Sequence, residues 1–225
     1  MVRHIFMKRE RIDLMDLIRY FHTNESFVKT CISNSFQLIL ISILLSLLIW
    51  IPMGILMTKN KKFAKIMFSI ANIIFCIPSL ALFSIMVVLP FLGIGRTSAV
   101  TALVLYSMMP ILKSVYFGIT NIDPNIIESA KGMGMNETQI MKEIRLPLAT
   151  KEIFSGFRVA FIMIIGISTV ATYIGEKNIG RLISSGLARQ DIEMIVAGTI
   201  LISVLTLIVD LCLNFVEKKF IKHMN

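Results

Sequence analysis

The sequence predicts an all-α protein embedded in a membrane, and three observations support that prediction. Hydrophobic residues make up 56% of the 225-residue chain and charged residues only 16%, whereas a soluble domain carries about 25% charged residues. Residues 30–58 and 66–95 contain no charged side chain, and each run exceeds the roughly 20 apolar residues that cross a bilayer. Between the apolar runs lies one charged segment, 121–147, patterned as two short helices.

Five membrane-spanning helices are predicted from the apolar runs. Within a transmembrane region of 30–217, they cover about 33–57, 66–91, 97–119, 152–174 and 194–216. Trp50, near the end of the first span, is either an interfacial anchor or a packing residue. Lys113, Arg158 and Asp210 lie near the ends of their spans on one side of the membrane, which favours interfacial charges over a proton relay within the membrane.

The two ends of the chain carry their own signals. Residues 1–29 mix apolar and charged side chains and predict an amphipathic helix on the membrane surface, not a cleavable signal peptide. Residues 218–225 form a basic tail that we expect in the cytoplasm. Twelve Lys and Arg flank the spans on the side of this tail and four on the other, which makes the first side cytoplasmic. The N-terminal segment adds six to the outer side, so charge alone does not fix the orientation.

Several function classes are excluded by composition. The net charge is +9, but the basic residues flank apolar runs and form no nucleic-acid motif, so membrane anchoring explains them and no nucleic-acid partner is expected. The cysteines are too scattered for a disulfide framework or a zinc site: they are Cys31, Cys76 and Cys212. The three histidines lie near the termini, no acidic residue lies mid-span, and no internal repeat is visible. These patterns disfavour a membrane enzyme, a proton-coupled carrier and a secondary transporter.

The charged segment begins as a short helix with clear boundaries. Asp123 is a plausible N-cap, and Pro124 occupies the first helical position, where its missing N–H has no helical partner to lose. Gly132 and Gly134 are predicted to end this helix, because glycine readily adopts the left-handed geometry of a helix C-terminus. We call residues 121–147 the hairpin.

A second short helix is predicted directly after the glycines. Asn136 and Gln139 have the spacing of a capping box, and Ile140 and Ile144 form an apolar ridge. Pro147 is predicted to end this helix. The apolar stripe of the hairpin either packs on the ends of its own membrane helices or docks into a groove on another protein, and the two uses are compatible.

The spacing of the hairpin resembles the signature of permease subunits of binding-protein-dependent ABC importers. That signature has the form EAA, three residues, Gly, nine residues, Ile, one residue, Leu-Pro. Here it reads, with Ser129 as the single departure, Glu128, Ser129, Ala130, Gly134, Ile144, Leu146 and Pro147.

The resemblance extends over about 30–216 and is closest to the osmoprotectant branch, whose permeases serve glycine betaine, carnitine and choline. The Gly-Met-Gly-Met run at 132–135 favours this branch over methionine-type permeases, and an amino-acid permease such as one for methionine is the alternative. One departure is the sequence IGEKNIG at 174–180, where the family commonly has IGAGGLG. Glu176 and Lys177 thereby add charge to the outer loop.

The resemblance also implies a fold and a set of partners. It implies a five-helix ABC importer permease core of the methionine-permease type in a bacterial plasma membrane, with a coupling loop at 121–150. Glu128, Ser129, Ala130 and Gly134 would form the coupling helix in a cleft of an ATPase subunit. Two permeases, identical or related, would bind two ATPase subunits and an extracellular binding protein.

Energy is expected to come from that ATPase. The chain has no Walker glycine loop, so ATP is expected on the partner subunit, with no cofactor and no enzymatic activity on this chain. Ile144, Leu146 and Pro147 would set the exit of the coupling helix toward the fourth span.

Candidates for the translocation path come from the second and third spans. Prolines free backbone carbonyls that need a partner or a cavity inside a membrane, and a quaternary ammonium prefers aromatic faces. For each candidate, simple packing is the competing interpretation. The candidates are Pro78, Ser79, Tyr106, Ser107 and Pro110.

Overall fold

The computed structural model describes residues 14–222, and the side chains of 19–219, as helices joined by short turns. Predictions for residues 1–13 and 223–225 lie outside this part of the chain. The helices are α1 (Leu14–Thr23), α2 (Glu25–Met57), α3 (Lys61–Cys76), α4 (Ser79–Val88), α5 (Arg96–Thr120), α6 (Pro124–Gly132), α7 (Glu137–Gln139), a π-helical segment (Ile140–Arg145), α8 (Leu146–Ser168), a 3-10 segment (Thr169–Ile174), α9 (Gly180–Arg189) and α10 (Ile192–Lys222).

Four helical stretches in the described chain are long and apolar enough to cross a membrane. They are Glu25–Met57, Arg96–Thr120, Glu137–Ile174 and Ile192–Lys219. The pair α3 and α4 makes a fifth if the two together count as one span, but they meet at 102°. The region 66–91, predicted as one membrane helix, is therefore broken near its middle.

Proline explains the position of this break. Pro78 forces the preceding residue out of helical geometry, and Ile77 is extended, with φ −70° and ψ 128°. The carbonyl of Ile77 would otherwise lack a helical partner inside the membrane, which is costly. Tyr106 of α5 donates its hydroxyl hydrogen to that carbonyl. A buried side chain from the neighbouring helix thus stabilises the broken segment.

Helix α5 lies at the centre of the bundle and packs against α2, α3, α4 and α8. Polar contacts between small residues hold it to α2: the hydroxyl of Ser107 lies 2.6 Å from that of Ser46. Trp50 is buried and donates its indole N–H to the carbonyl of Val104 at 2.7 Å. Of the two interpretations of Trp50, the structure supports packing. Such interhelical hydrogen bonds are typical of membrane bundles.

The outer end of the bundle has a small apolar cluster of its own. Its buried members are Val28, Cys31, Ile179, Leu182 and Met194. Tyr20 and Phe21 of α1 pack against them, and α1 contacts α10 and α2. The described part of the N-terminal segment is therefore held against the outer end of α10.

Near the inner end, α8 and α10 are joined by an ion pair. Arg158 donates from Nε to Oδ1 of Asp210 at 2.7 Å and from a terminal nitrogen to Oδ2 at 2.9 Å. Glu217 lies 3.6 Å from the same guanidinium. This two-pronged geometry fixes orientation as well as charge. The sequence indicated interfacial charges here but not that they pair with each other.

Candidate functional site

The first helix of the hairpin starts and ends as its sequence predicts. The carboxylate of Asp123 accepts the N–H of Asn125 at 2.9 Å, and Pro124 opens α6. Glu128 and Ser129 are exposed, whereas Ala130 is fully buried. The EAA-like triplet thus points two polar side chains outward and uses its alanine to pack the helix against the protein.

Gly134 makes the turn between the two halves of the hairpin. Its φ is +83°, a conformation that costs an L-residue with a side chain about 1–2 kcal/mol. The N–H of Gly134 bonds to the carbonyl of Lys131 at 2.9 Å, and that of Met135 to Ala130 at 3.2 Å. These two bonds form a Schellman motif, so the predicted glycine stop is confirmed, with Gly132 still inside the helix.

The predicted capping box is also confirmed. Asn136 accepts the N–H of Gln139 at 2.9 Å, and the side chain of Gln139 accepts the N–H of Asn136 at 2.8 Å. Ile140 is fully buried and Ile144 is half-buried. The second half of the hairpin therefore starts at a defined residue and packs through the predicted apolar ridge.

The prediction that Pro147 ends this second helix is wrong. The chain passes from α7 through a π-helical segment straight into α8, and Leu146 bonds to the carbonyl of Met141, five residues back. In an α-helix, a proline ring clashes with the carbonyl four residues earlier. The wider π turn comes just before Pro147, at the start of α8, where a missing N–H is tolerated. One continuous helical stretch therefore joins the hairpin to the fourth span.

The hairpin exposes apolar as well as charged side chains. Met133 is 75% exposed and Ile126 is 43% exposed, and Glu128, about 200° from Ile126 around the helix, is exposed as well. Ile144, Leu146 and Pro147, which complete the signature, are half-buried. Exposed apolar side chains with a polar rim are typical of a surface that binds another protein.

A basic groove of about 510 Å³ runs between the hairpin and the inner ends of α3 and α5. Glu128, Lys61, Lys131 and Arg145 line it, and the Nε of Arg145 is buried without a hydrogen-bond partner among the described residues. Lys131 also reaches Glu137 at 2.8 Å, and this hydrogen bond lowers the pKa of the Glu137 carboxyl.

The candidates for the translocation path do not converge on one site. Tyr106 is buried, with its hydroxyl bound at the helix break, and Ser107 is buried against Ser46. Pro78 is exposed at the break and Ser79 is half-buried at the start of α4. Only Pro110 lines a large groove.

That groove, which we call the inner groove, lies between α3, α5 and α8 and measures about 660 Å³. Sequence reasoning placed Lys113 at the membrane interface and named none of its other polar lining residues. The signal in the sequence that could have identified these lining residues is that they are polar yet lie inside or at the edge of predicted spans. Its polar and aromatic lining comprises Asn72, Phe75, Lys113, Ser114, Phe117, Glu152 and Ser155.

The outer loop, residues 174–180, is held by a network that crosses the bundle. Arg96 at the start of α5 forms an ion pair with Glu176 at 2.9 Å and donates to Gln37 of α2 at 2.8 Å. Asn178 is fully buried and donates to the carbonyl of Ser168. Of the two charged residues that distinguish this loop from the family pattern, Glu176 is therefore paired inside the protein, whereas Lys177 is exposed.

The chain matches a known family over most of its length. Residues 50–222 match the family described as "Binding-protein-dependent transport system inner membrane component". The chain belongs to this family. It is therefore a multi-pass transporter subunit of the bacterial plasma membrane and not an enzyme, and the family works with an ATPase and a binding protein.

Curated relatives are identical to this chain at about a third of the aligned positions. "Carnitine transport permease protein OpuCD" of Listeria monocytogenes is 35% identical over 206 residues, covering 91% of this chain and 92% of the relative. "Choline transport system permease protein OpuBB" of Bacillus subtilis is 34% identical over 203 residues, covering 90% and 93%.

Solved structures share the fold. The MetNI methionine ABC transporter in inward-facing conformations has a TM-score of 0.78 at 18% identity, covering 88% of this chain and 98% of that one. An amino acid ABC transporter has a TM-score of 0.77 at 19% identity, covering 92% and 99%. At this level of identity the likeness establishes the fold, an ABC importer permease, in agreement with the sequence prediction.

Proposed function

We propose that this chain is the permease subunit of an importer for osmoprotectant quaternary amines such as carnitine, choline and glycine betaine. The observation that carries the proposal is the similarity along nine tenths of the chain to permeases named for carnitine and choline. The Gly-Met-Gly-Met run at 132–135 supports the same branch of the family.

The hairpin is the proposed contact with the ATPase. It exposes the side chains of Ile126, Glu128 and Met133 to water, while Ala130 is buried against the rest of the protein. ATP binds to the ATPase and no cofactor binds to this chain. When the ATPase closes, it moves the hairpin as a rigid body, and the helical connection to α8 carries that motion into the membrane.

A second permease, identical or related, completes the transporter. The inner groove is open on one side, and exposed residues of α8 line it, among them Ser155 and Val159. The substrate path then runs between the two permeases, and a binding protein delivers substrate to their outer ends.

Uptake measurements test the substrate class. The permease is expressed with its ATPase and binding protein in bacteria that lack osmoprotectant uptake, and the cells receive labelled carnitine, choline, glycine betaine or methionine. We expect uptake of at least one quaternary amine and none of methionine. Methionine uptake without uptake of a quaternary amine would replace this assignment with the amino-acid alternative.

Co-purification tests the ATPase contact. A tagged permease should retain the ATPase subunit in mild detergent, and Met133→Asp should abolish retention because it places a charge in the apolar docking face. Thr97→Asp is the matched control, since it adds the same charge at an exposed position at the outer end. Full retention by Met133→Asp would exclude this face as the contact.

A further inference from the structure

The inner groove holds two charged side chains, Lys113 and Glu152, within or at the edge of the membrane-spanning helices. Lys113, Glu152, Asn72 and Ser155 are all exposed within it. Charged side chains in a membrane usually face a water-filled cavity or a partner. Neither Lys113 nor Glu152 forms an ion pair with another of the described side chains, residues 19–219. The groove thus presents one positive and one negative charge, both free to meet a ligand.

The two charges lie at different depths in the groove. Glu152 lies beside Gly118, where an added Cβ would come within 3.0 Å of the Cβ of Glu152. Lys113 is five residues earlier on α5, which corresponds to about 7–8 Å along a helix. Lys113 is therefore deeper in the membrane, and Glu152 lies near the inner mouth. This spacing suits a small molecule with a carboxylate at one end and a cation at the other.

An aromatic face lies between the two charges. Phe117 is 42% exposed in the groove, and Phe68 stacks on it at 5.8 Å with an interplanar angle of 9°. Tyr116 meets it edge-on at 5.3 Å. These neighbours fix the ring in place. Quaternary ammonium groups have no N–H donors and bind to aromatic faces.

The inner groove continues toward the cytoplasm. A second cavity of about 380 Å³ shares Phe117 and Glu152 with it and extends to Asp123 and Leu148 beside the hairpin. The two cavities together form one route from Pro110, within the membrane, to the coupling region. A ligand held between Lys113 and Glu152 would lie on this route.

We propose that the inner groove is a binding site for zwitterionic quaternary amines on the cytoplasmic half of the path. Lys113 pairs with the substrate carboxylate, while the quaternary ammonium lies against Phe117 and Glu152. This inference rests on the proposed function, because it takes the substrate class from there. It adds that the permease itself discriminates carnitine, which has both groups, from choline, which lacks the carboxylate.

The test compares carnitine and choline uptake by the complete transporter. Lys113→Gln should lower the ratio of carnitine to choline uptake about tenfold, on the scale of one charge-assisted hydrogen bond. Lys113→Arg should restore the ratio, because it keeps the charge. Glu152→Gln and Phe117→Leu should reduce uptake of both compounds, because both contain the cation. The binding protein is the same in every case, so a changed ratio reports on the permease.

Matched controls separate the site from general charge effects. Lys151→Gln removes an exposed lysine next to Glu152 but outside the groove and should leave the ratio unchanged. Glu193→Gln removes an exposed carboxylate at the outer end of α10 and should also leave the ratio of carnitine to choline uptake unchanged. Immunoblots of membranes and co-purification of the ATPase show whether each variant is assembled.

A labelling measurement covers the case in which a charge variant does not assemble. Ser155→Cys, in a chain with its three native cysteines replaced by serine, places a thiol in the groove. Carnitine should slow its reaction with a maleimide at least severalfold in the ATP-free complex, and choline should slow it less.

The outcomes distinguish this inference from the proposed function. If the wild-type transporter takes up neither carnitine, choline nor glycine betaine, the proposed substrate class fails. If it takes them up, but Lys113→Gln lowers carnitine and choline equally and carnitine leaves the Ser155→Cys thiol unprotected, the groove site is overturned and the proposed function stands. An unchanged ratio in an assembled Lys113→Gln variant would mean that Lys113 serves only to reach the lipid headgroups.

Discussion

The hairpin and the outer loop use the same turn at opposite ends of the bundle. Each contains a glycine with positive φ, +83° at Gly134 and +91° at Gly175. In each, the N–H of the next residue bonds to a carbonyl five residues back, at 3.2 Å, from Met135 in the hairpin and from Glu176 in the outer loop. Local backbone chemistry therefore makes the two segments alike.

The charged residues beside these two turns form ion pairs of opposite kinds. In the hairpin, Lys131 and Glu137 form a pair whose side chains are 54% and 69% exposed. In the outer loop, Glu176 is only 6% exposed and pairs with Arg96, eighty residues away in sequence. The turn at Gly134 therefore lies beside an exposed ion pair on a surface that another protein can reach. The turn at Gly175 lies beside a buried ion pair, Arg96–Glu176, which we call the clamp. The presence of a distant partner decides which of the two forms.

The largest expected effect is on transport, from the hairpin turn. Gly134→Val should reduce substrate uptake about tenfold, because a β-branched residue at φ +83° costs at least the roughly 1–2 kcal/mol estimated for L-residues and distorts the docking face. No atom lies within 4 Å of the new Cβ, so the effect comes from the backbone alone. Gly132→Val, also in open space but helical, should keep most uptake. Equal uptake by both variants would show that the turn is not needed.

A large loss of stability is expected at the outer loop. Gly180→Ala would place its Cβ 2.0 Å from the carbonyl oxygen of Thr169, and a backbone atom cannot rotate away. We expect about 3 kcal/mol of destabilisation, seen as a lower Tm of the purified protein in detergent. Gly132→Ala, which meets no neighbour, should raise Tm slightly, because alanine is the better helix former. A Tm for Gly180→Ala equal to wild type would contradict the tight packing of this loop.

The clamp is tested by a double-mutant cycle. Arg96→Met leaves the Glu176 carboxylate buried without its cation and should cost about 2–3 kcal/mol, somewhat less than for a fully buried pair because Arg96 is 37% exposed. Adding Glu176→Gln to that variant should recover part of the loss, since no buried charge remains. Additive effects of the two substitutions on Tm would mean that the residues do not interact.

The smallest effect is expected at the exposed pair of the hairpin. Glu137→Gln should shift Tm by less than about 1 °C, because exposed ion pairs contribute little. The pKa of Glu137 is lowered in the folded protein, so its small contribution is present above its unfolded pKa and is lost as pH falls through the folded value. The difference between wild type and variant should therefore vanish at acidic pH, and a difference that grows there would reverse this assignment.

Features set by neighbouring residues were predictable from the sequence. The cap at Asp123, the stop at Gly134 and the capping box at Asn136 depend on residues at most five positions apart, and all three are in the structure. The continuation of the helix through Pro147 was not predicted. A proline normally ends a helix, and only the wider π turn before Pro147 makes room for its ring.

Features that depend on packing between distant helices were not predictable. Pro78 lies in a continuous apolar run, so hydropathy alone gives no break, and the hydroxyl of Tyr106 that stabilises it comes from another helix. The inner groove draws Asn72, Lys113 and Glu152 from three elements. Each of these residues is unremarkable in its own segment, and only the fold brings them together.

The hairpin and the outer loop lie at opposite ends of one continuous helical stretch, from Glu137 to Ile174. It contains 38 residues, so it is about 57 Å long at 1.5 Å per residue, well beyond the roughly 30 Å hydrocarbon core of a bilayer. A tilt of about 5° about its midpoint would displace each end by about 2.5 Å, in opposite directions. An inward displacement of the hairpin would then be accompanied by an outward displacement of the outer loop, because both lie at the ends of the same helical stretch.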